Sequence, residues 1–181
     1  MERPPETNKE FRNVEEINFK IVEKNESIKK DVMDLLHEYP THFIPGLFEE
    51  SAEKDFENSD ILVAYDGDMA IGCLMFNRTT KEYNWLAVKR DIKFQRSEIA
   101  KRLFESFYPT IEPGTTVVAF LNTEDASIPG QPSFSGQNFE PVRKLYRSMG
   151  LEMKEENRVE NKYGSGAHVY KVEWIPNKKT E

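Results

Sequence analysis

One stretch, residues 81–108, most constrains the fold, because it joins a buried strand to an amphipathic helix through a charged turn. Residues 83–88 are apolar and aromatic, which is the composition of a buried strand. Residues 89–96 carry five charges among eight residues and cannot continue that strand. Residues 99–107 place apolar side chains at helical spacing, and Ser97 stands at the predicted N-cap. The sequence therefore predicts a strand that leads into the exposed N-terminus of a helix.

A helix N-terminus of this kind can hold an anion. Its first N–H groups have no partner within the helix, and the helix dipole favours negative charge there. Basic side chains supply a local positive patch beside the turn, namely Lys89, Arg90, Lys93, Arg96, Lys101 and Arg102. Two interpretations stay open at this point: a phosphate-binding turn, or an ordinary crossover between strands with a solvated run of charges.

The predicted elements follow the order strand, helix, helix, three strands, helix, strand, helix, two strands. Asp66-Gly67-Asp68 lies between two apolar runs, which is a strong signal for a β-hairpin. Residues 61–65 and 69–76 are apolar at nearly every position, so helices are expected to cover both faces of these strands. The pattern predicts the α/β (α+β) class, with a mixed central sheet flanked by helices on both faces.

Length and charge limit the classes of function. A chain of 181 residues predicts one domain, here over residues 14–176, and the charged, proline-containing residues 1–13 predict a disordered tail. The net charge of −7 argues against nucleic-acid binding and mildly favours a cationic or neutral substrate. There is no metal-ligand spacing, so no metal is expected.

Cysteine content and hydropathy bear on location. Cys73 is the one cysteine, so no intrachain disulfide can form, and a reducing compartment fits. The N-terminal residues lack the apolar region of a signal peptide, and no apolar run reaches the ~20 residues of a membrane span. These features predict a cytoplasmic protein without a membrane partner.

Helix ends and loops are marked by single residues. Ser27 is predicted to cap the first helix and Asn138 the last, and Gly150 is placed to end the last helix. The aromatic, proline-containing loop of residues 39–48 is expected either to line a pocket or to be held to the core by its own side chains. Residues 122–137 form a loop longer than a compact domain needs, which is typical of a functional or mobile segment.

Two short motifs resemble those of a known superfamily. Residues 95–100, Gln-Arg-Ser-Glu-Ile-Ala, resemble the acetyl-CoA pyrophosphate loop of the GNAT N-acetyltransferases, which is written Gln/Arg-x-x-Gly-x-Gly/Ala. Residues 142–152 resemble the late helix of that family and its Leu-Tyr-x-x-x-Gly-Phe ending, with Leu151 in place of the phenylalanine. Both motifs stand in the family's order, and the resemblance covers residues 18–174.

The resemblance implies an acetyl-CoA-dependent transfer of an acetyl group to a primary amine of a small molecule or peptide. It implies a mostly antiparallel sheet in which residues 83–88 and 115–121 splay apart to admit the cofactor arm. Pairing of two copies through the last strands is common in the family, so a homodimer is a further expectation. The residues that the resemblance assigns to acetyl-CoA are Leu86, Ala87, Val88, Gln95, Arg96, Ser97, Glu98, Ile99, Ala100, Lys101, Asn122 and Asn138.

Acyl transfer to an amine sets three chemical requirements. An amine with a pKa near ~10.4 must lose a proton, the oxyanion needs an N–H donor, and the departing thiolate benefits from a proton. By the resemblance, Tyr146 donates to the thiolate, the backbone of Val88 faces the oxyanion, and Glu82 takes the amine proton. The alternatives are a core tyrosine at Tyr146, an exposed residue at the start of a strand for Glu82, and only a helix cap at Asn138.

Glu98 departs from the family pattern, which has glycine at this position so that phosphate can approach the backbone closely. Its carboxylate either turns to solvent, which leaves the helix N-terminus to the pyrophosphate, or competes for that site. The second case predicts a non-catalytic ligand-binding or interaction module on the same fold. A third hypothesis, an unrelated α/β interaction protein, predicts Tyr146 buried away from any cleft.

Overall fold

The strands of the chain form one mixed sheet. The computed structural model describes residues 13–39, 48–94, 96–122, 139–151, 157–160 and 169–176. Its strands are β1 (Asn18–Val22), β2 (Asp60–Asp66), β3 (Met69–Asn77), β4 (Glu82–Val88), β5 (Val117–Asn122), β6 (Arg158–Val159) and β7 (Val169–Trp174). Its α-helices are α1 (Glu26–His37), α2 (Phe48–Asn58), α3 (Arg96–Phe107) and α4 (Phe139–Ser148). The strand order is β1-β2-β3-β4-β5-β7-β6, with β4 and β5 parallel and all other neighbours antiparallel.

The predicted hairpin and the predicted cover of both faces are confirmed. Gly67 has a φ of +61° in the turn between β2 and β3, a conformation that glycine adopts without steric cost. Along β2, Ile61 and Val63 face one core while Leu62 and Ala64 face the other. Because side chains alternate along a strand, a strand that is apolar at every position must lie between two apolar layers.

Helices α1 and α2 form the layer on one face, called here the α1–α2 core. The buried side chains of this core are Val32, Leu35, Leu36, Ala52, Phe56, Ile61, Val63, Cys73, Met75 and Ala87. Helices α3 and α4 cover the other face, called here the α3–α4 core, with Ile99, Leu103, Phe104, Phe107, Leu145 and Tyr146. Each helix therefore contributes an apolar stripe, as its periodicity predicts. None of the helices in the described ranges is long and apolar enough to cross a membrane.

Two predicted helix caps are wrong. The N-cap of α1 is Asn25, whose side chain accepts a hydrogen bond from the Ile28 N–H at 3.0 Å, so Ser27 lies within the first turn. Helix α3 begins at Arg96, which likewise places Ser97 inside the helix. The N-cap is the residue at which the backbone leaves the helical conformation. Several polar residues near a helix start can serve as the N-cap, so the sequence alone does not show which one does.

The ends of the domain also differ from expectation. Asn13, assigned to a disordered tail, caps a short 3₁₀ helix, Val14–Glu16, by accepting a hydrogen bond from the Glu15 N–H at 3.1 Å. The rest of that tail lies outside the described residues, as do most of residues 151–159, which were expected to form a strand. Only Arg158–Val159 is described as strand there.

Gly150 ends α4 as predicted. It has a φ of +77°, its N–H donates to the Arg147 carbonyl at 3.0 Å, and the Leu151 N–H donates to the Tyr146 carbonyl at 3.0 Å. This pair of bonds is the Schellman arrangement, which satisfies the last carbonyls of a helix. The position of Tyr146 is thereby fixed by the helix end as well as by its packing.

The cap of α1 gives a direct test of the helix start. We expect Asn25→Ala to lower the free energy of unfolding by about 1 kcal/mol, because the Ile28 N–H loses its partner. Ser27→Ala is the matched control and should change that free energy by less than about 0.5 kcal/mol. Urea unfolding followed by circular dichroism measures both variants, and a larger loss for Ser27→Ala would contradict the assignment.

Candidate functional site

The parallel strands β4 and β5 pair only where they begin. Glu82 pairs with Val118 and Tyr83 with Ala119, and the Val118 N–H donates to the Lys81 carbonyl at 2.9 Å. Strand β5 then follows β7 along its whole length. In the described part of the chain, no pair joins β4 and β5 beyond Tyr83. A wedge-shaped gap, called here the β4–β5 gap, therefore opens toward the end of β4, as the resemblance predicted.

A β-bulge in β4 lies where the gap begins. On β3, Leu74 pairs with Leu86 and Phe76 pairs with Tyr83. Strand β4 therefore has two residues, 84–85, where β3 has one between those pairs. A bulge of this kind increases the local twist and reverses which edge of the strand each following peptide group faces.

Beyond the bulge, each peptide group of β4 faces the edge opposite to the one it would face in a regular strand. The Lys89 N–H donates to the Ile71 carbonyl of β3 at 2.8 Å. Because peptide groups alternate along a strand, Ala87 also faces β3, and Leu86 and Val88 face the gap. The three residues expected to hold a cofactor arm therefore differ in the edge of β4 that their backbone faces. The peptide groups of Leu86 and Val88 line the gap, whereas the backbone of Ala87 is bonded to β3.

The middle of β4 is open to solvent, although it is a central strand. Residues 84–86 are half-buried, whereas residues 71–76 of β3 are all buried. Leu86 packs against the α3–α4 core and Trp85 against the α1–α2 core, so the opening reaches both faces of the sheet. A ligand lying between the strands can thus be approached from either side.

The loop from β4 to α3 borders the open end of the gap. Phe94 is buried in the α3–α4 core and holds the loop to the sheet. Arg96, Ser97 and Glu98 form the exposed first turn of α3. The side chains of Ile99 and Ala100 are buried in the core, so only their backbone is available to a ligand. Gln95 lies outside the described residues.

Glu98 has an exposed side chain. A hydrogen bond to Glu15 raises the pKa of the Arg102 guanidinium, and the charge of Glu98 raises it further. The carboxylate of Glu98 therefore acts on Arg102, one turn farther along α3. An exposed residue in the first turn can still face the helix end, so the two outcomes considered for Glu98 stay predictions.

The basic patch is partly neutralised by nearby carboxylates. Arg102 pairs with Glu15, the Lys101 ammonium lies 3.7 Å from Glu105, and the Lys89 ammonium lies 4.0 Å from Glu38. Within the described residues, Lys93 and Arg96 form no salt bridge. Lys93 precedes α3 and Arg96 is its first residue, and these two cations remain the candidates for contact with an anion.

Residues just after the end of α1 hold the end of β4 by contacts, called here the Tyr39 clamp, that sequence reasoning missed. The Tyr39 hydroxyl donates to the Val88 carbonyl across 49 positions of sequence. The Arg90 guanidinium lies 4.7 Å from the centre of the Tyr39 ring, and the Arg90 N–H donates to the Glu38 carboxylate at 2.7 Å. The polar ends of Tyr39 and Arg90 carried no periodic signal that could have revealed these contacts.

Tyr146 is buried in an aromatic cluster of the α3–α4 core. Its side chain is 3% exposed, with ring centres 5.7 Å from Phe104 and 6.2 Å from Trp174. Tyr83, the last residue of β4 that pairs with β5, stacks on Trp174 at 5.4 Å. Burial raises the pKa of Tyr146 well above its ordinary value, so the hydroxyl stays protonated near neutral pH.

The remaining predicted site residues are less closely grouped. Glu82 begins β4 at the paired end, six residues before Val88. An extended strand of that length spans roughly 20 Å, which is too far for proton transfer from an amine near Val88 to Glu82 directly or through one water. Asn122 ends β5, paired with Val169. Asn138 lies outside the described residues.

Comparisons with known proteins identify the fold of this chain through solved structures. A comparison with known protein families gives no match, and neither does one with curated proteins. A solved acetyltransferase of the GNAT family from Desulfovibrio desulfuricans matches with a TM-score of 0.63 at 14% identity, over 88% of this chain and 98% of its own.

Two solved aminoglycoside 6'-N-acetyltransferases are also similar. The enzyme from Enterococcus faecium has a TM-score of 0.60 at 14% identity, over 91% of this chain and 99% of its own. A structure of such an enzyme complexed with coenzyme A has a TM-score of 0.59 at 15% identity, over the same shares, 91% and 99%. The chain therefore has the GNAT acetyltransferase fold, and the predicted fold class is confirmed.

The Tyr39 clamp can be tested by removing one hydroxyl. We expect Tyr39→Phe to lower the free energy of unfolding by about 1 kcal/mol, because the Val88 carbonyl loses its donor. Tyr65→Phe is the control, since Tyr65 is half-buried against the same α1–α2 core and its hydroxyl makes no hydrogen bond among the described residues. The control should cost less than about 0.5 kcal/mol in urea unfolding. Equal losses in the two variants would show that the clamp adds nothing.

Proposed function

Starting from the GNAT fold, we propose that this chain is an N-acetyltransferase that transfers the acetyl group of acetyl-CoA to a primary amine of a small molecule or peptide. The observation that carries the proposal is the β4–β5 gap, toward which the peptide groups of Leu86 and Val88 are turned. An extended ligand arm can complete the interrupted ladder there with backbone hydrogen bonds. The fold of the solved acetyltransferases supports the same reading.

The residues around the gap fit the donor molecule. The first turn of α3 offers backbone N–H groups for a pyrophosphate, and Lys93 and Arg96 lie beside it without salt bridges among the described residues. The side chain of Glu98 is exposed, and we propose that it turns away from phosphates bound at the helix end. Ser97 and Lys101 lie on the same helix within the first two turns.

The backbone of β4 is proposed to polarise the acyl group. When bound, acetyl-CoA supplies a thioester carbonyl that a neutral amine can attack. The Val88 carbonyl already accepts a hydrogen bond from Tyr39, so we assign its N–H, together with that of Leu86, to the ligand. A backbone N–H held in a rigid strand can stabilise the negative charge that develops on a carbonyl oxygen without reorganising.

Tyr146 is proposed to donate the proton that the leaving thiolate takes up. Burial keeps its hydroxyl protonated, and the end of α4 together with Phe104 and Trp174 holds its ring in one orientation. Glu82 as the acceptor of the amine proton stays a prediction, because it lies too far from Val88 for transfer through one water. The cytoplasmic location, the homodimer and the contacts of Gln95, Asn122 and Asn138 with the cofactor stay predictions.

The role of Tyr146 can be separated from its packing by a pair of hydroxyl deletions. We expect Tyr146→Phe to lower kcat by about 100-fold, which is typical for loss of a general acid, with the acetyl-CoA Kd unchanged within about twofold. Tyr83→Phe is the matched control, because Tyr83 lies in the same cluster and its buried hydroxyl has no partner among the described residues. Amine-dependent release of the CoA thiol measures kcat, and calorimetry measures Kd.

Three outcomes would count against the proposal in different ways. Wild type that does not bind acetyl-CoA contradicts the acetyltransferase function. Binding without amine-dependent thiol release leaves a ligand-binding module on this fold. Normal kcat in Tyr146→Phe, or equal losses in the two variants, leaves Tyr146 with a role in packing alone.

A further inference from the structure

We propose that Tyr39 is a positioning residue of the acyl transfer, which aims the Val88 N–H at the thioester carbonyl by holding the peptide group that follows Val88. The inference rests on the proposed acetyltransferase function and adds to it a residue outside the sheet that controls the direction of the oxyanion donor. It starts from the hydrogen bond that the Tyr39 hydroxyl donates to the Val88 carbonyl.

The peptide group between Val88 and Lys89 is held at both of its edges. Its carbonyl accepts the hydrogen bond from the Tyr39 hydroxyl, and its N–H donates to the Ile71 carbonyl of β3 at 2.8 Å. The carbonyl and the N–H of one planar peptide group point in opposite directions, so these two bonds together fix the orientation of the plane. With only one of them, the plane could still tilt about that bond.

The end of β4 needs this support because it has a neighbouring strand on one edge only. Strand β4 ends at Val88, whereas its pairs with β5 are at Glu82 and Tyr83. In the described ranges of the chain, no strand therefore pairs with the gap edge of Val88. A strand end of this kind opens locally at little cost in free energy. The Tyr39 hydroxyl supplies a hydrogen-bond partner on that edge.

Holding this peptide group also fixes the N–H of Val88. That N–H belongs to the preceding peptide group, whose carbonyl comes from Ala87, and Ala87 pairs with Cys73 of β3. The peptide groups on both sides of the Val88 Cα atom are thus anchored, which restricts the two backbone dihedrals between them. The Val88 N–H therefore stays turned to the β4–β5 gap, and a donor that is already oriented stabilises an oxyanion without reorganising.

The ring of Tyr39 is itself held in place. The Arg90 guanidinium lies 4.7 Å from the centre of the ring, and the Arg90 N–H donates to the Glu38 carboxylate at 2.7 Å. Residues 38–39 thus contact residues 88 and 90 through the hydroxyl, the ring face and a carboxylate. A catalytic group keeps its geometry only when the side chains that support it are themselves locked by packing and hydrogen bonds. The Tyr39 clamp meets this requirement.

A second side chain holds the other end of the same segment. At the bulge, the indole N–H of Trp85 donates to the Asp55 carboxylate of α2 at 2.7 Å. The segment that contains Leu86 and Val88 is therefore anchored at both ends from outside the sheet. The bond to Asp55 acts on a side chain, whereas the bond from Tyr39 acts on the backbone next to the proposed donor. Tyr39 is thus the residue whose loss should change the direction of the Val88 N–H.

A spectroscopic measurement that needs no acceptor tests this role. Infrared difference spectroscopy of bound acetyl-CoA, with the acetyl carbonyl carbon isotopically labelled, gives the stretching frequency of the thioester carbonyl, which a hydrogen bond lowers. We expect binding to wild type to lower this frequency, and Tyr39→Phe to remove about half or more of that decrease, because a misdirected donor makes a weaker hydrogen bond. The acetyl-CoA Kd from calorimetry should change by less than about twofold, because the aimed N–H gains most of its strength in the transition state.

Tyr65→Phe is the matched control, because it removes a hydroxyl from a half-buried tyrosine that packs on the same α1–α2 core. It should leave the carbonyl frequency and the Kd at their wild-type values. The wild-type spectrum does not depend on any variant. A carbonyl frequency that stays unchanged when wild type binds acetyl-CoA therefore overturns the proposal even if Tyr39→Phe unfolds.

Calorimetry of acetyl-CoA binding separates the two levels of the proposal. Wild type that binds no acetyl-CoA overturns the proposed function and the positioning role with it. Wild type that binds acetyl-CoA without a decrease in the carbonyl frequency overturns the positioning role alone. Equal frequencies in wild type and Tyr39→Phe, or equal changes in Tyr39→Phe and Tyr65→Phe, do the same, because Tyr39 would then contribute to stability only.

Discussion

The structure of the candidate site depends on one extra residue in β4. By inserting two residues of β4 opposite one of β3, the bulge at residues 84–85 reverses the edge that each following peptide group faces. Before the bulge, the Lys81 carbonyl is bonded to β5; after it, Lys89 is bonded to β3. The backbone of Leu86 and Val88 is thus directed into the gap between the strands, at the centre of a sheet whose neighbouring strand β3 is buried at residues 71–76.

The two helical layers hold this opening from opposite sides. The α3–α4 core closes the paired end of the gap with Tyr83, Tyr146 and Trp174, whose rings pack on one another. On the other face, Tyr39 binds the Val88 carbonyl at the open end of β4, and Asp55 binds the Trp85 indole at the bulge. Two ligands can therefore approach the same short segment of backbone from different faces, and the proposed acyl transfer needs its two substrates to be held close together.

Signals from residues close in sequence predicted much of the fold. Features that depend on contacts between distant segments of the chain were not predicted. The Asp66-Gly67-Asp68 turn, the apolar stripe of α3 and the helix end at Gly150 depend on residues close in sequence, and the structure confirms them. The bulge depends on the register of β4 against β3, which no local pattern fixes, so Ala87 was grouped with Leu86 and Val88 although its backbone faces β3. The Tyr39 clamp joins residues 49 positions apart. For Glu98, the sequence supplied the departure from the motif, and the structure shows that its side chain is exposed.

We propose that the peptide groups of Leu86 and Val88 are the ones that meet the acyl donor. Amide hydrogen exchange of the full chain, measured residue by residue with NMR in the absence and presence of acetyl-CoA, tests it most directly. We expect acetyl-CoA to slow exchange at Leu86 and Val88, whereas Ala87 should change little because its N–H already belongs to the β3 ladder. Slower exchange at Ala87 without its neighbours, or no change along β4 at saturating acetyl-CoA, would show that the acyl donor does not bind to the peptide groups of Leu86 and Val88.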